Sequence, residues 1–287
     1  MKVSVVIPCR NAATTLGAQL EALCRQEWAG EWEVVVADNA STDGSRQVAE
    51  SFRGRLPALR VVDASGHSGP GGSRNAGALA ATGDALAFCD ADDEVAPGWL
   101  AAMARALAEH ELVAARYEMR KLNPPWLVTA RGEHQHEGLN PYTYPPYLPH
   151  AGGGGLGVRR SLHLQSGGFD ETLPALEDTD YCWRLQRAGV ELSFVSEAVV
   201  HVRYRQDLSD LFRQTYRFGL YNVLIYRRYR PLGMPRLPWW LGLAKWGRLV
   251  LGVPSILWPG RRAAWLHQLA WRSGRLVGSL RYRVWGL

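Results

Sequence analysis

The sequence predicts an α/β fold, a doubly wound and mostly parallel sheet flanked by helices, followed by a basic, aromatic-rich helical extension. Three observations carry that expectation. Short apolar runs at 3–7, 33–37, 59–62 and 85–89 alternate with helical segments over the first 110 residues. A βαβαβαβ order implies parallel strands joined by helical crossovers. The fourth run ends in three carboxylates, Asp90, Asp92 and Asp93, and open α/β sheets bind ligands outside the carboxyl ends of their strands. Charge then splits the chain. Residues 1–210 hold 19 Lys and Arg against all 27 Asp and Glu, whereas 211–287 hold 14 Lys and Arg and no carboxylate. Such a split implies an acidic catalytic or binding body and a tail suited to anionic surfaces.

The elements follow in order. VSVVI at 3–7 is a buried strand stopped by Pro8, and 14–25 is a helix with Leu16, Leu20 and Leu23 near helical spacing. EVVVA at 33–37 is the second strand. Beyond it Asp43 can cap a helix at 45–52, while Asp38, one step past the strand, has no such duty. A third strand at 59–62 leads to a glycine-rich stretch, 66–77, that opens a helix. Its free N–H groups suit an anion; a flexible linker is an equal reading. After the strand at 85–89 come a helix at 97–109 and a strand at 112–120. The segment 121–150, with six prolines, reads as an irregular binding loop or lid. Five glycines within 151–158 require backbone to approach something closely. A helix opens with Leu176-Glu177-Asp178-Thr179-Asp180 and closes at Gly189; strands at 192–195 and 198–202 follow.

Several residues carry chemistry. Side chains alternate along a strand, so Asp90 and Asp92 project to one side, and two hard oxygen donors there suit Mg²⁺ or Mn²⁺. The bland alternative is a solvated acidic turn with Asp93 or Glu94 as a helix cap. On the helix beginning near 177, Asp178 shares the inward face with Tyr181, Cys182 and Leu185, which favours a working acid or base. Asp180 aligns with Arg184 and Arg187 as a surface ion-pair partner, and Glu177 lies at the edge. His201 reads as a satisfied strand histidine or as a ligand. The four cysteines lack C-x-x-C spacing and are expected to be reduced residues of a cytosolic protein without a zinc site. No signal peptide is expected, because the apolar run at 3–7 is too short.

Residues 2–205 resemble the family 2 glycosyltransferases. The stretches that carry the likeness are VSVVIPCRN, VVVADNASTDGS, GGSRNAGALAATGDALAFCDADDEVAPGWL, VRRSLHLQSGGFDETLPALEDTDYCWRLQRAG and VVHVRYR. The resemblance implies a GT-A, Rossmann-like fold, with a nucleotide-binding half over about 1–110 and an acceptor half over 111–205. It implies inverting transfer from a nucleotide-diphosphate sugar, a UDP-sugar being favoured, to an acceptor hydroxyl that can be lipid-linked. Asp38 then matches the aspartate that accepts from the base, and Pro8 and Arg74 fall on the nucleotide side of the donor pocket. Asp90 and Asp92 match the D-x-D that holds ribose and metal, Asp92 as the direct ligand. Asp178 matches the catalytic base with Glu177 in support, and His201 stands where relatives place a further metal ligand. The segment GGGGLG departs from the polar residue relatives often carry there, which implies a more open acceptor pocket.

The tail, 206–287, reads differently. Seven of the twelve tryptophans lie after residue 238. The run 239–258 is nearly long enough to span a bilayer but contains Lys245, Arg248 and Pro254, so an interfacial amphipathic helix fits better. Tryptophan and arginine belong at the headgroup level. The expected place is therefore cytoplasmic, peripheral at the inner face of the membrane, with a helical subdomain or homodimer interface as the competing reading. No nucleic-acid fold is present. Two other functions are weighed against transfer. A sugar nucleotidylyltransferase wants a glycine-rich loop with a basic residue after the first strand, where this chain has PCRNAAT. A non-catalytic membrane scaffold is disfavoured by the joint presence of Asp38, Asp90, Asp92 and Asp178.

Overall fold

In the computed structural model residues 1–286 are described; Leu287, the last residue of the basic tail, lies outside them. The first elements are β1 (Val3–Cys9), α1 (Leu16–Cys24), β2 (Trp32–Asp38), α2 (Ser45–Glu50), β3 (Arg60–Asp63), α3 (Gly69–Ala80), β4 (Ala85–Phe88) and β5 (Glu94–Val95). They continue with α4 (Trp99–Glu109), β6 (Leu112–Glu118), α5 (Pro125–Arg131), β7 (Leu156–Arg159), α6 (Arg160–Gln165), α7 (Glu177–Arg187) and β8 (Leu192–His201). Three longer helices close the chain, α8 (Leu208–Tyr229), α9 (Trp239–Leu251) and α10 (Pro259–Arg281). Two compact units result. One comprises Met1–Glu118, His134–Asn140 and Pro149–Val202; the other comprises Met119–Glu133, Pro141–Leu148 and Arg203–Leu287. The segment 121–150, expected as one excursion, is thus divided between the units and contains a helix, α5, opened by Pro125 at a position where proline lacks no needed N–H.

The first unit is built on one eight-stranded sheet in the order β3-β2-β1-β4-β7-β6-β8-β5. β1 pairs parallel with β2 and β4, β2 with β3, and β6 with β8; β7 runs antiparallel between β4 and β6, and β5 antiparallel to β8. Strands buried on both faces need apolar residues in succession rather than alternation. Val3, Val5, Val6 and Ile7 in β1 and Val34 to Ala37 in β2 are accordingly almost wholly buried. α1 covers one face through Leu16, Leu20 and Leu23. α3 lies so close to β1 that a Cβ at Gly77 would collide with Val6. The two short strands expected at 192–195 and 198–202 form one, β8, with a register shift opposite Ala115 and Arg116. The β-bulge absorbs the polar Ser196-Glu197 pair without ending the strand.

The second unit is helical. Asp207 caps α8, accepting from the N–H groups of Ser209 at 2.7 Å and Asp210 at 3.2 Å. α8 and α10 approach backbone to backbone, since a Cβ at Gly219, Gly274 or Gly278 would meet a main-chain carbonyl of the facing helix. The 239–258 run does not make one helix: α9 stops at Leu251, and a 3₁₀ segment, Val253–Leu257, follows. Pro254, without an N–H to donate, ends the α-helical ladder. No helix among the described residues is long and apolar enough to cross a membrane.

Candidate active site

The parallel strands deliver their ends to one edge. In register, Cys9 faces Asp38 and Asp38 faces Asp63, so three neighbouring strands stop together. Asp38 is buried there, its Oδ1 accepting from Ser41 N–H at 3.3 Å. Pro8 stands half-buried beside it, opposite Ala37. Asn39 ties the strand end to the segment around α3, donating to His67 O and Ser73 Oγ, both at 3.1 Å. Asp43 has the structural role expected of it, accepting from Ser45 N–H at 3.0 Å and Ala13 N–H at 2.9 Å.

Beyond β4 the carboxylates gather. Asp90, Asp92 and Asp93 each place an oxygen within 4.8 Å of the others. Asp93 is buried, and Gly98, not Asp93 or Glu94, occupies the cap position of α4. Three like charges converging this closely repel one another unless a cation stands among them, and hard oxygens at this spacing fit Mn²⁺ or Mg²⁺. His201 is not part of that cluster. Its Nδ1 lies 2.7 Å from Glu118 Oε2, and it pairs across β8 and β5 with Glu94.

Arg74 joins the acidic cluster to α7. It projects from α3 and is 4% exposed; Nη2 donates to Asp90 Oδ1 at 2.6 Å and Nη1 to Glu177 Oε1 at 3.2 Å. The Phe169 ring centroid lies 5.6 Å from its Cζ. Burial works against the Arg74 charge, but Asp90, Glu177 and Asp178 together hold its pKa above the ordinary value. Glu177 is pushed up to about 7, by burial first and by Asp178 second, against the pull of Arg74.

The glycine run supplies the close approach the sequence demanded. A Cβ at Gly153 would lie 2.7 Å from Arg74 Cζ, and one at Gly154 only 2.6 Å from Asp90 Oδ2. Side chains on Gly152 and Gly155 would strike the buried Tyr117 ring. Gly153 N–H donates to Asp178 Oδ2 at 3.0 Å, while Asp178 Oδ1 accepts from Thr179 N–H at 2.7 Å. Asp178 thus faces the glycine loop. The backbone enters α7 through Leu176 at φ 64°, a left-handed conformation that costs a non-glycine residue about 1–2 kcal/mol.

Three expectations require correction. Asp180 is not a surface residue: it is fully buried, bonded by Arg184 Nε at 2.8 Å. The guanidinium also donates to Ser166 O and Gly168 O and so folds over the carboxylate. Glu177 is buried rather than at an edge. Residues 177, 179–183 and 185 are all buried, so α7 has neighbours on most sides and no single inward stripe. The glycine-rich stretch 66–77 likewise is mostly helix, α3. The anion at its start belongs to the chain itself. The Glu171 carboxylate accepts from Ser68 N–H at 3.2 Å and Asn75 Nδ2 at 3.0 Å, with His67 Nδ1 3.0 Å away. Glu171 and Phe169 had no signal in the sequence beyond their place in GGFDE.

Comparison with known proteins gives the family and the fold. A family model described as glycosyl transferase family 2 matches residues 4–165, and one described as glycosyl transferase family group 2 matches 87–278. A pre-mycofactocin glycosyltransferase of Mycobacterium tuberculosis is 32% identical over 72% of this chain and 44% of its own length. The poly(ribitol-phosphate) beta-N-acetylglucosaminyltransferase TarS of Staphylococcus aureus is 34% identical over 43% of the chain and 22% of its own. The chain thus spans less than half the length of these curated relatives. Among solved structures, a mannosyltransferase from Pyrobaculum calidifontis in complex with GDP-Man and Mn²⁺ superposes with a TM-score of 0.71 at 19% identity, covering 96% of this chain and 86% of that one. TarS residues 1–349 in complex with UDP-GlcNAc give 0.56 at 18% identity, covering 99% and 93%. At these identities the likeness concerns the fold, which is that of GT-A glycosyltransferases.

Proposed function

Because the chain belongs to glycosyl transferase family 2, we propose that it moves a sugar from a nucleotide-diphosphate sugar to an acceptor hydroxyl, with inversion and with Mn²⁺ or Mg²⁺. The observation that carries this reading is one connected set of side chains. The Asp90, Asp92 and Asp93 carboxylates lead through Arg74 to Glu177, and Asp178 follows it on the same helix. A UDP-sugar is the favoured donor.

Each residue then has a task. Asp38, at the end of β2, accepts from the nucleotide base, with Pro8 alongside. Asp90 holds the ribose and, through Arg74, keeps its orientation. Asp92 and Asp93 would hold the metal. Glu118 fixes the ring of His201 through Nδ1, an arrangement that suits a histidine offering Nε2 to a cation. A bound divalent ion supplies positive charge to the departing diphosphate. Asp178 takes the proton of the acceptor hydroxyl, which is a poor nucleophile until deprotonated. Gly153 N–H holds one of its oxygens and leaves it an acceptor in that role. Displacement on the face opposite the leaving group inverts the anomeric centre in one step, without a covalent intermediate. Arg74 places a cation between the donor side and the base, and Glu177 keeps Arg74 in place.

The tail is read as the part that meets a membrane surface. Trp239, Trp240, Leu251, Leu257 and Trp258 are each more than half exposed, on a segment that also carries Lys245 and Arg248. Exposed tryptophan with flanking cations is what an interfacial segment presents. A lipid-linked acceptor and a peripheral location at the inner face of the membrane fit that surface.

The test is a screen of nucleotide sugars with Mn²⁺ for thermal stabilisation, hydrolysis and transfer, since a ligand of the native state raises its midpoint. A stabilising donor should lose its effect in EDTA. Asp92→Asn should abolish turnover with the fold retained. Asp178→Asn should lower kcat at least about a hundredfold with donor affinity little changed. Full turnover in EDTA would remove the metal from the mechanism, and an active Asp178→Asn would move the base elsewhere.

A further inference from the structure

The second unit buries positive charge at Arg275, where no carboxylate among the described residues faces it. Arg275, on α10, is 2% exposed. Its Nη1 donates to Asn222 Oδ1, but Nε and Nη2 have no hydrogen-bond partner among the described residues. The Asn222 amide nitrogen is itself a donor, bonded to the Tyr142 hydroxyl at 2.8 Å, and offers the guanidinium nothing. Two cations meet the ring of Tyr144: Arg275 Cζ lies 4.9 Å from its centroid and Lys245 Nζ, from α9, 3.3 Å. Arg272 precedes Arg275 by one turn on the same face of α10. Tyr144, Lys245 and Arg272 are half-buried, whereas Arg275 is buried.

The electrostatics are those of a site lacking its counter-charge. Burial, with Arg272, Arg275 and Arg248 adding to it, pushes Lys245 down to about 8. Burial also lowers Arg275 and Arg272. A carboxylate would be the usual remedy, and residues 211–287 contain none. A buried arginine with two unpartnered donor nitrogens therefore asks for an anion with several oxygens, and a guanidinium fork beside an ammonium matches a phosphate.

We propose that Arg275, Lys245 and Arg272 form a binding site for a phosphate group carried by an anionic lipid headgroup. The lipid source is favoured by the helix that supplies Lys245. α9 also exposes Trp239 at 62%, Trp240 at 55%, Val250 at 66% and Leu251 at 82%. A helix lying in the interface would hold Lys245 at the depth of the phosphates. This deepens the membrane reading of the tail and is independent of the transfer reaction.

The experiment is flotation of the full chain, in EDTA and at low salt, with phosphatidylcholine vesicles with and without phosphatidic acid. Wild type should bind the phosphatidic acid vesicles more tightly. Lys245→Gln/Arg272→Gln should lose roughly thirtyfold of that preference, what two charges near an anionic surface contribute, while keeping its binding to neutral vesicles. Arg261→Gln/Arg262→Gln removes equal charge from two exposed positions of α10 and should lose less. Trp239→Ala/Trp240→Ala should weaken binding to both vesicles, which separates apolar docking from phosphate recognition. Equal losses in the two charge-removal variants would mean diffuse attraction and overturn the site. A second arm measures thermal stabilisation by inorganic pyrophosphate. Stabilisation abolished by Lys245→Gln/Arg272→Gln supports the phosphate site; if it occurs without any preference for phosphatidic acid, the lipid assignment is overturned and the source is a soluble phosphate. Circular dichroism of each variant guards against misfolding, and Arg275 itself is left intact.

Discussion

Two arginines, each all but removed from water, separate the two units of this protein. Arg74 is 4% exposed and Arg275 2%. Around Arg74 the chain places Asp90, Glu177 and Asp178, and the guanidinium is held more firmly protonated than an ordinary arginine. Around Arg275 stand tyrosines, an asparagine and further cations, and its pKa is lowered. The first is neutralised by its own chain, although Arg74 Nε, like Arg275 Nε, has no hydrogen-bond partner among the described residues. The second is satisfied only in part by its own chain. A buried charge has to be paired or discharged, so the two environments imply different uses: one arginine organises side chains, the other is suited to receive an anion.

Substituting each arginine tests that contrast most severely. Arg74→Met leaves Glu177 and Asp90 without their shared cation and should cost about 3–5 kcal/mol of folding stability, as breaking a buried pair does. Arg275→Met removes a charge that has no counter-charge and, without phosphate, should be neutral or stabilising. Urea unfolding of both variants measures the difference. Equal destabilisation would mean that Arg275 is paired in solution and that the comparison fails.

A smaller effect is expected at Asp180. Asp180→Asn keeps the shape but weakens the bond to Arg184, and a buried polar group left partly satisfied costs about 1–3 kcal/mol. It should reduce the thermal midpoint while sparing donor affinity, since Arg184 turns towards Ser166 and Gly168 rather than towards Arg74. A variant as stable as wild type would return Asp180 to the surface.

The smallest effect is a slope. Glu177 has a folded pKa raised to about 7, above the ordinary carboxylate value near 4.3. Between those values the native state binds more protons than the unfolded chain, so this group's contribution is full below about pH 4 and is lost as pH rises towards 7. Glu177→Gln should flatten the dependence of unfolding free energy on pH across that window. An unchanged slope would show that Glu177 stays ionised beside Arg74 throughout.

Much of this was legible before any coordinates. The runs at 3–7, 33–37, 59–62 and 85–89 announced β1 to β4 within two residues at each end; for β1, β2 and β4 the reason is that strands buried on both faces have an unambiguous composition, whereas β3 is a half-buried edge strand. Asp90 and Asp92 could be placed together from strand alternation, and five closely spaced glycines announced a tight approach. Asp93 was read only as a possible cap because alternation sends it to the opposite side, whereas the chain turns after β4 and brings it into the cluster. The phase of α7 misled for a related reason. Helical spacing identifies an inward stripe when a helix has one covered face, and α7 is covered on several, so Glu177 and Asp180 are both interior.

By itself the sequence determined what depends on neighbours along the chain: β1 to β4, the bond of Asp43 to the first turn of α2, the acidic body and the basic tail. Only the tertiary structure decided which distant groups meet. Arg74 could have faced solvent from its helix; instead it lies between Asp90, sixteen residues on, and Glu177, more than a hundred on. Arg275 meets Asn222 and Tyr144 through equally distant segments. Local pattern records whether a residue prefers water, whereas the partner of a buried charge is set by packing among elements remote in sequence, and no periodicity encodes that pairing.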